Sequence, residues 1–260
     1  MRSKLFVPAS RPELFAKAVA SAADALSFDL EDAVAAERKD MARSTLQAFL
    51  CGGDPAHPPP RVAQNHQCLI VRVNAPGSEY FMADLEAIIW PALDVINLPM
   101  VESPEVVQEA AWQIGRIARA RGLRRPIRIA SADPTVMGLQ IGYGDLFAPL
   151  GIASGEPSAT QYVRTAVRLA AGEAGIAAYD GAFVNFKDTE GFLRDSMAAR
   201  ALGFAGRSCI HPSQIELANR AFMPTPAEVE QALKVVRASE QNLAAGVGAF
   251  SVDGRLVDGP

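Results

Sequence analysis

Phe28-Asp29-Leu30-Glu31-Asp32-Ala33-Val34 sets three carboxylates where an apolar run ends. The run before it, Ala25 to Phe28, has the length of a strand, and a helix-patterned segment begins at about Val34. The carboxylates therefore belong to the C-terminal end of a strand, where α/β proteins carry their chemistry. Taken alone, the triplet has two readings. Asp32 caps the following helix, with Asp29 and Glu31 favoured by its dipole. Alternatively, three mutually repelling charges gather around a cation, an arginine or backbone N–H groups.

Outward from this stretch, strand-length apolar runs alternate with helix-period segments. The strands expected are Lys4–Pro8, Ala25–Leu30, Cys68–Val73, Asp94–Pro99, Ile127–Ala130, Gly138–Tyr143, Gly181–Phe186 and Ser208–Ile210. Helices are expected near 12–23, 34–49, 79–90, 104–121, 158–174 and 190–202. Ser10 and Pro12 open the first of these, and Ser103-Pro104-Glu105 opens the fourth. The alternation predicts a parallel sheet, and about eight such units close into a (β/α)8 TIM barrel. An open doubly wound sheet is the alternative, weakened because no Gly-x-Gly-x-x-Gly follows the first strand. The barrel is expected over 1–222, with a C-terminal extension over 223–260.

Two segments interrupt the pattern. Cys51 to His66, rich in Pro and Gly, reads as a surface excursion. After Ile127-Arg128-Ile129 the chain runs straight into Ala130-Ser131-Ala132-Asp133-Pro134, with no room for a crossover helix. A parallel crossover needs about a dozen residues or more, and only about eight are present.

Composition excludes several functions. A chain of 260 residues, 49% hydrophobic, buries one large core or two modest ones. Its net charge of −4 gives no general attraction to nucleic acid or to an anionic membrane. Arg116, Arg119, Arg121, Arg124, Arg125 and Arg128 form the one basic concentration, read as a solvated helix end in preference to a phosphate patch. Cys51, Cys68 and Cys209 lack metal-site spacing, and their odd number argues against a disulfide framework. With no signal peptide and no membrane-length apolar run, a cytoplasmic protein is expected.

In a barrel the strand ends converge on one face. Here they supply Pro8, Ser10 and Arg11; Asp29, Glu31 and Asp32; Arg72 and Asn74; Glu102; Asp145; Asn185, Lys187 and Asp188; and His211. Carboxylates from different strands meeting an arginine is the composition of a hard-metal site that also grips an anionic oxygen substrate. Each residue alone has a plainer reading. Arg72 can be an ion-pair partner of Asp29, Asp145 a helix cap, and His211 a satisfied semi-buried imidazole. His211 has no second histidine at metal-site spacing, which argues against zinc, and no Gly-x-Ser-x-Gly elbow supports a serine hydrolase.

Arg2-Ser3-Lys4-Leu5-Phe6-Val7-Pro8-Ala9-Ser10-Arg11-Pro12-Glu13, Phe28–Val34, Val71–Asn74, Leu98–Ser103, Gly142–Leu146, Asp188-Thr189-Glu190-Gly191, Gly203–Gln214 and Val257–Pro260 follow one another in a recognisable order. In them the chain resembles the citrate lyase β-subunit-like acyl-CoA lyases of the HpcH/HpaI aldolase superfamily. The resemblance covers almost the whole chain. It implies a (β/α)8 barrel, a homotrimer, Mg2+ (with Mn2+ as a substitute) and a CoA thioester substrate. The reaction it implies is cleavage of a β-hydroxyacyl-CoA, citramalyl-CoA by preference, to acetyl-CoA and pyruvate. Asp145 matches a metal ligand, and Glu31 and Asp32 match acids near the metal that act through water. Arg72 matches the substrate-binding arginine, with Pro8, Arg11 and His211 lining the substrate. Asp258 matches an acid/base that reaches a neighbouring subunit's site. The resemblance leaves other functions open. These are a citrate lyase β subunit working on an acyl-carrier protein, a malyl-CoA lyase or thioesterase, and a non-catalytic binding barrel.

The sequence also departs from the family. Relatives end strand five in Ile-Glu-Thr or Ile-Glu-Ser, whose Glu is the second protein ligand of the metal. Ile127-Arg128-Ile129-Ala130-Ser131 carries no acid there, and Met100 stands where relatives often have lysine.

Overall fold

The computed structural model describes residues 1–52, 67–120, 128–129, 133–244 and 249–258. Of the excursion expected over Cys51 to His66, residues 53–66 lie outside the described residues, as do Arg121, Arg124 and Arg125.

The chain divides into two compact units, Met1–Phe222 and Met223–Pro260. In the first, β1 (Ser3–Pro8), β2 (Ala25–Asp29), β3 (Cys68–Arg72), β4 (Val95–Asn97), β5 (Arg128–Ile129), β6 (Gly138–Gln140), β7 (Ala177–Asp180) and β8 (Gly206–Cys209) form one parallel sheet. Its helices are α1 (Phe15–Val19), α2 (Lys39–Cys51), α3 (Phe81–Ile88), α4 (Pro104–Ala120), α5 (Tyr143–Phe147), α6 (Pro157–Glu173), α7 (Thr189–Ala201) and α8 (Ser213–Ala221). The second unit holds α9 (Pro226–Ala244) and a hairpin of β9 (Ala249–Val252) and β10 (Arg255–Asp258). Asp253 and Gly254 both have positive φ, 50° and 76°, the conformation a two-residue hairpin turn of primed type demands.

Strand order is β5-β4-β3-β2-β1-β8-β7-β6. The first and last strands of the barrel series thus pair with each other, leaving β5 and β6 as the two edges. Lys4 on β1 donates to Gln140 Oε1 on β6. Those strands are three apart in the sheet, about 14 Å if it were flat, so the sheet curls strongly. The closed barrel expected from the sequence is not formed among the described residues. β5 and β6 do not pair there, and the opening falls where the crossover lacks its helix.

Alternation along the strands builds two layers. Leu26 and Phe28 of β2, Leu69 and Val71 of β3 and Ile96 of β4 face the helices and form the main core. Phe28 meets Phe15 of α1 at 4.8 Å and Phe49 of α2 at 5.1 Å, which fastens both helices to the middle of the sheet. Ala25, Ile70 and Val95 form a smaller cluster on the concave side.

Two expected elements moved. The first helix is a 3-10 turn, Pro12–Leu14, followed by a single α-helical stretch to Val19. Strand seven is Ala177–Asp180 and not Gly181–Phe186. Its Ala-Ala-Tyr-Asp sequence has little apolar bulk, and Asp180 is completely buried as an ion-pair partner, so hydropathy conceals it. Among the described residues, no helix is long and apolar enough to cross a membrane.

Candidate functional site

β1, β2, β3 and β4 end in register, pairing Pro8 with Asp29, Asp29 with Arg72 and Arg72 with Asn97. This row brings the acidic triplet and the arginine together. Arg72 grips Asp29 bidentately, Nε to Oδ1 and Nη2 to Oδ2, both at 2.8 Å. Its Nη1 lies 2.7 Å from Glu31 Oε2 and 3.0 Å from Asp32 Oδ2. The guanidinium also sits 5.2 Å above the Phe6 ring. Asp29, only 2% exposed, accepts the Glu31 and Ala33 N–H groups as well, which folds the loop after β2 back around it. The second reading of the triplet therefore holds, with an arginine and backbone N–H groups gathering the charges, whereas Asp32 caps no helix: the helical turn after it begins at Ala36 and α2 at Lys39, both without a side-chain cap.

Behind this loop runs a buried polar layer that the sequence did not reveal. Lys39 of α2 donates to the Leu30 and Glu31 carbonyls at 2.8 and 3.1 Å and to Asn74 Oδ1 at 2.7 Å. Asn74 donates from its backbone and side chain to Asp84, which also pairs with Arg43. Every polar group of the layer has a partner, so the loop is held rigidly.

Burial opposes the charge of Arg72, yet its hydrogen bonds to Asp29 and the attraction of Asp29, Glu31 and Asp32 outweigh this, and its pKa rises. Glu31 is pushed up to about 7, first by burial and then by the charges of Asp32, Asp29 and Asp145, against the pull of Arg72. The guanidinium is shared among three carboxylates and cannot neutralise all of them. A carboxyl pKa raised in the folded state stabilises the protein below the unfolded value of 4.5, and that contribution is lost as pH rises through about 7. The loss is on the order of 3 kcal/mol. Without divalent cations, Glu31→Gln should therefore gain stability relative to the parent as pH rises from 4.5 to 7, with no further gain above. Urea titrations of both proteins from pH 4.5 to 8.5 check this, and a stability difference independent of pH would count against it.

Asp145 lies in the first turn of α5, exposed, and without a hydrogen bond among the described residues. Its charge reaches Glu31, which places it on the same side of the molecule. A Cβ on Gly142 would come within 2.9 Å of Asp145 Oδ2, so glycine is what allows the carboxylate to fold back over the turn. No three His, Cys, Asp or Glu side chains are grouped closely enough to hold a metal among the described residues. Glu31 and Asp32 are turned towards Arg72 instead of Asp145. The donor chemistry still fits a hard divalent cation: Asp145 has no partner among the described residues, and Glu31 carries charge that its neighbours resist.

The remaining candidates are scattered more widely. Pro8 sits beside Asp29. Arg11 is exposed and paired with Glu13 at 2.9 Å. His211 stacks on Phe186, with centroids 4.7 Å apart, and its Nδ1 accepts the Ser213 N–H at 3.2 Å. Glu102 is exposed after β4, and Asp188 caps α7 by accepting the Gly191 N–H. Asp258 ends β10 in the second unit.

A second ionic cluster also escaped the sequence reading. On the helix side of β7 and β8, Arg164 donates to Asp180 at 3.2 and 2.7 Å and to Asp195 at 2.8 Å. Arg207 lies 3.0 Å from Asp195 and 3.5 Å from Asp180. Tyr143 donates its hydroxyl to Asp180 Oδ1 at 2.8 Å. The available signal was Arg207 in the middle of a strand and Arg164 on the buried face of a helix, charges where the pattern calls for apolar residues.

Comparison with known proteins places this arrangement. The profile of the HpcH/HpaI aldolase/citrate lyase family matches residues 2–212. Citrate lyase subunit beta of Escherichia coli (strain K12) is 34% identical over 277 aligned positions, covering 100% of this chain and 89% of that protein. A (3S)-malyl-CoA thioesterase of Cereibacter sphaeroides (strain ATCC 17029 / ATH 2.4.9) is 34% identical, covering 99% of this chain and 89% of that protein. Among solved structures, the protein CitE from Mycobacterium tuberculosis, in complex with magnesium, acetoacetate and coenzyme A, superposes with a TM-score of 0.74. It is 32% identical and covers 100% of this chain and 95% of that one.

Proposed function

This chain belongs to the HpcH/HpaI aldolase/citrate lyase family, and from that premise we propose that it is a Mg2+-dependent acyl-CoA lyase. It cleaves a β-hydroxyacyl-CoA, citramalyl-CoA by preference, to acetyl-CoA and pyruvate. The observation that carries this reading is one arginine shared by three carboxylates, with a fourth, Asp145, unpartnered among the described residues and electrostatically coupled to Glu31.

Asp145 would hold the cation, with Glu31 and Asp32 acting on it through water. When bound, Mg2+ supplies a Lewis acid for the oxygens of the 2-oxo acid. Arg72 faces the substrate hydroxyl oxygen and stabilises the negative charge that develops as its proton passes to solvent water. As the C–C bond breaks, its electron pair passes into the thioester as an enolate. Asp258 then delivers a proton to the enolate carbon, giving the methyl group of acetyl-CoA. Pro8, Arg11 and His211 line the substrate. In this reading the cytoplasmic protein is a homotrimer, and residues 223–260 reach the site of a neighbouring subunit.

The test is incubation of the purified protein with Mg2+, acetyl-CoA and each of pyruvate, glyoxylate and oxaloacetate. Citramalyl-CoA from pyruvate is the expected product. Turnover only on an acyl-carrier protein would favour a citrate lyase β subunit, and release of free CoA from malyl-CoA a thioesterase. A folded protein inert in every arm would indicate a binding barrel. Asp258→Asn should abolish exchange of the acetyl-CoA methyl protons while sparing 2-oxo acid binding. Mixed with Asp145→Asn, it should regain part of the activity, because some mixed trimers contain one intact composite site. No recovery despite proven subunit exchange would exclude a base supplied in trans.

A further inference from the structure

We propose that Tyr143 is a positioning residue for Asp145, tethering the first turn of α5 to the buried Asp180 through its hydroxyl. The inference rests on the reading of Asp145 as the cation ligand.

α5 has five residues and no side-chain cap on Gly142, too little to fix its own direction. The Asp145 carboxylate adds no hydrogen bond of its own among the described residues. Its aim is therefore set by whatever holds the turn. Tyr143, two residues earlier, donates to Asp180 at 2.8 Å. Asp180 is itself immobile, fully buried and gripped by Arg164, which shares Asp195 with Arg207. Gly181 gives the ring its seat. A Cβ there would stand 2.5 Å from Tyr143 Cδ2 and 2.9 Å from the Ile141 carbonyl. On the other side of the sheet, Lys4 binds Gln140, so the segment leading into the turn is anchored from both faces. Partners that orient a metal ligand through hydrogen bonds typically cost 10–100-fold in metal affinity when removed.

The experiment is a titration of Mn2+, followed by the electron paramagnetic resonance of the free ion. It uses the full chain, Tyr143→Phe and Phe147→Leu at a temperature where all three are folded. Phe147 packs on the Tyr143 ring at 5.4 Å but takes no part in the tether, so its variant reports loss of packing alone. Tyr143→Phe should weaken Mn2+ binding about tenfold, whereas Phe147→Leu should lower Tm and keep the parent affinity. Equal affinity in Tyr143→Phe and the parent, or equal losses in both variants, would overturn the inference. Absence of Mn2+ binding by the parent would sink the cation reading instead. Amide exchange over 142–147 then decides the tether: faster exchange in Tyr143→Phe than in Phe147→Leu supports it, and equal rates refute it.

Discussion

Arg72→Ala should destabilise the protein by about 3–5 kcal/mol, a fall in Tm on the order of 10 °C for a chain of this size. The cause is less the missing guanidinium than the negative charge it leaves behind. Asp29 is almost wholly buried and would keep only two backbone N–H donors. Glu31 and Asp32 would lose the one cation they share. Arg72→Lys should recover only part of the loss, because an ammonium cannot match the two parallel bonds to Asp29. Urea unfolding at pH 7 measures both variants. A shift below about 1 kcal/mol, the scale of an exposed ion pair, would mean that the cluster does not hold the loop.

Asp145→Asn should have the opposite profile. The side chain is exposed and makes no hydrogen bond among the described residues, so stability should stay within about 0.5 kcal/mol of the parent. Divalent cation binding should be lost, and lyase turnover should fall roughly 10³-fold, the equivalent of several kcal/mol of charge stabilisation. Calorimetry with Mg2+ or Mn2+, paired with thermal melts, separates the two effects. An unchanged cation titration would remove Asp145 from the site.

The reach of the sequence followed the range of the interactions involved. β2 was legible because its five residues are all buried and its last one is charged, a local contradiction that points to a site. Arg72 was legible for the same reason, a cation closing an apolar strand. Lys39, Asp84 and Arg43 were not. Each sits in a helix with ordinary spacing, and its meaning comes from partners as far as 41 residues away. Asp180 was hidden by a registration error. Gly181–Phe186 has the more apolar run, but Ala177–Asp180 pairs with β6 and β8, and its aspartate joins Asp195 in satisfying two buried arginines. The hole after Ile129 was visible as a missing crossover. That β5 and β6 become the sheet's two edges followed from geometry the sequence pattern does not carry.

Pairing of β1 with β8 has a consequence during synthesis. Ser3 completes its hydrogen bond to Asn219, 216 residues further along the chain. At 5–20 residues per second, roughly 10–40 s pass before that partner leaves the ribosome. The Phe15–Phe28–Phe49 cluster, in contrast, is available as soon as the first fifty residues emerge. The nascent chain thus carries a half-built sheet with one side of β1 unpaired, a template for another nascent chain on the same message. High contact order makes the last step slow as well. Yield in a heterologous host should therefore respond to translation rate and to chaperone supply more than to the stability of the finished fold.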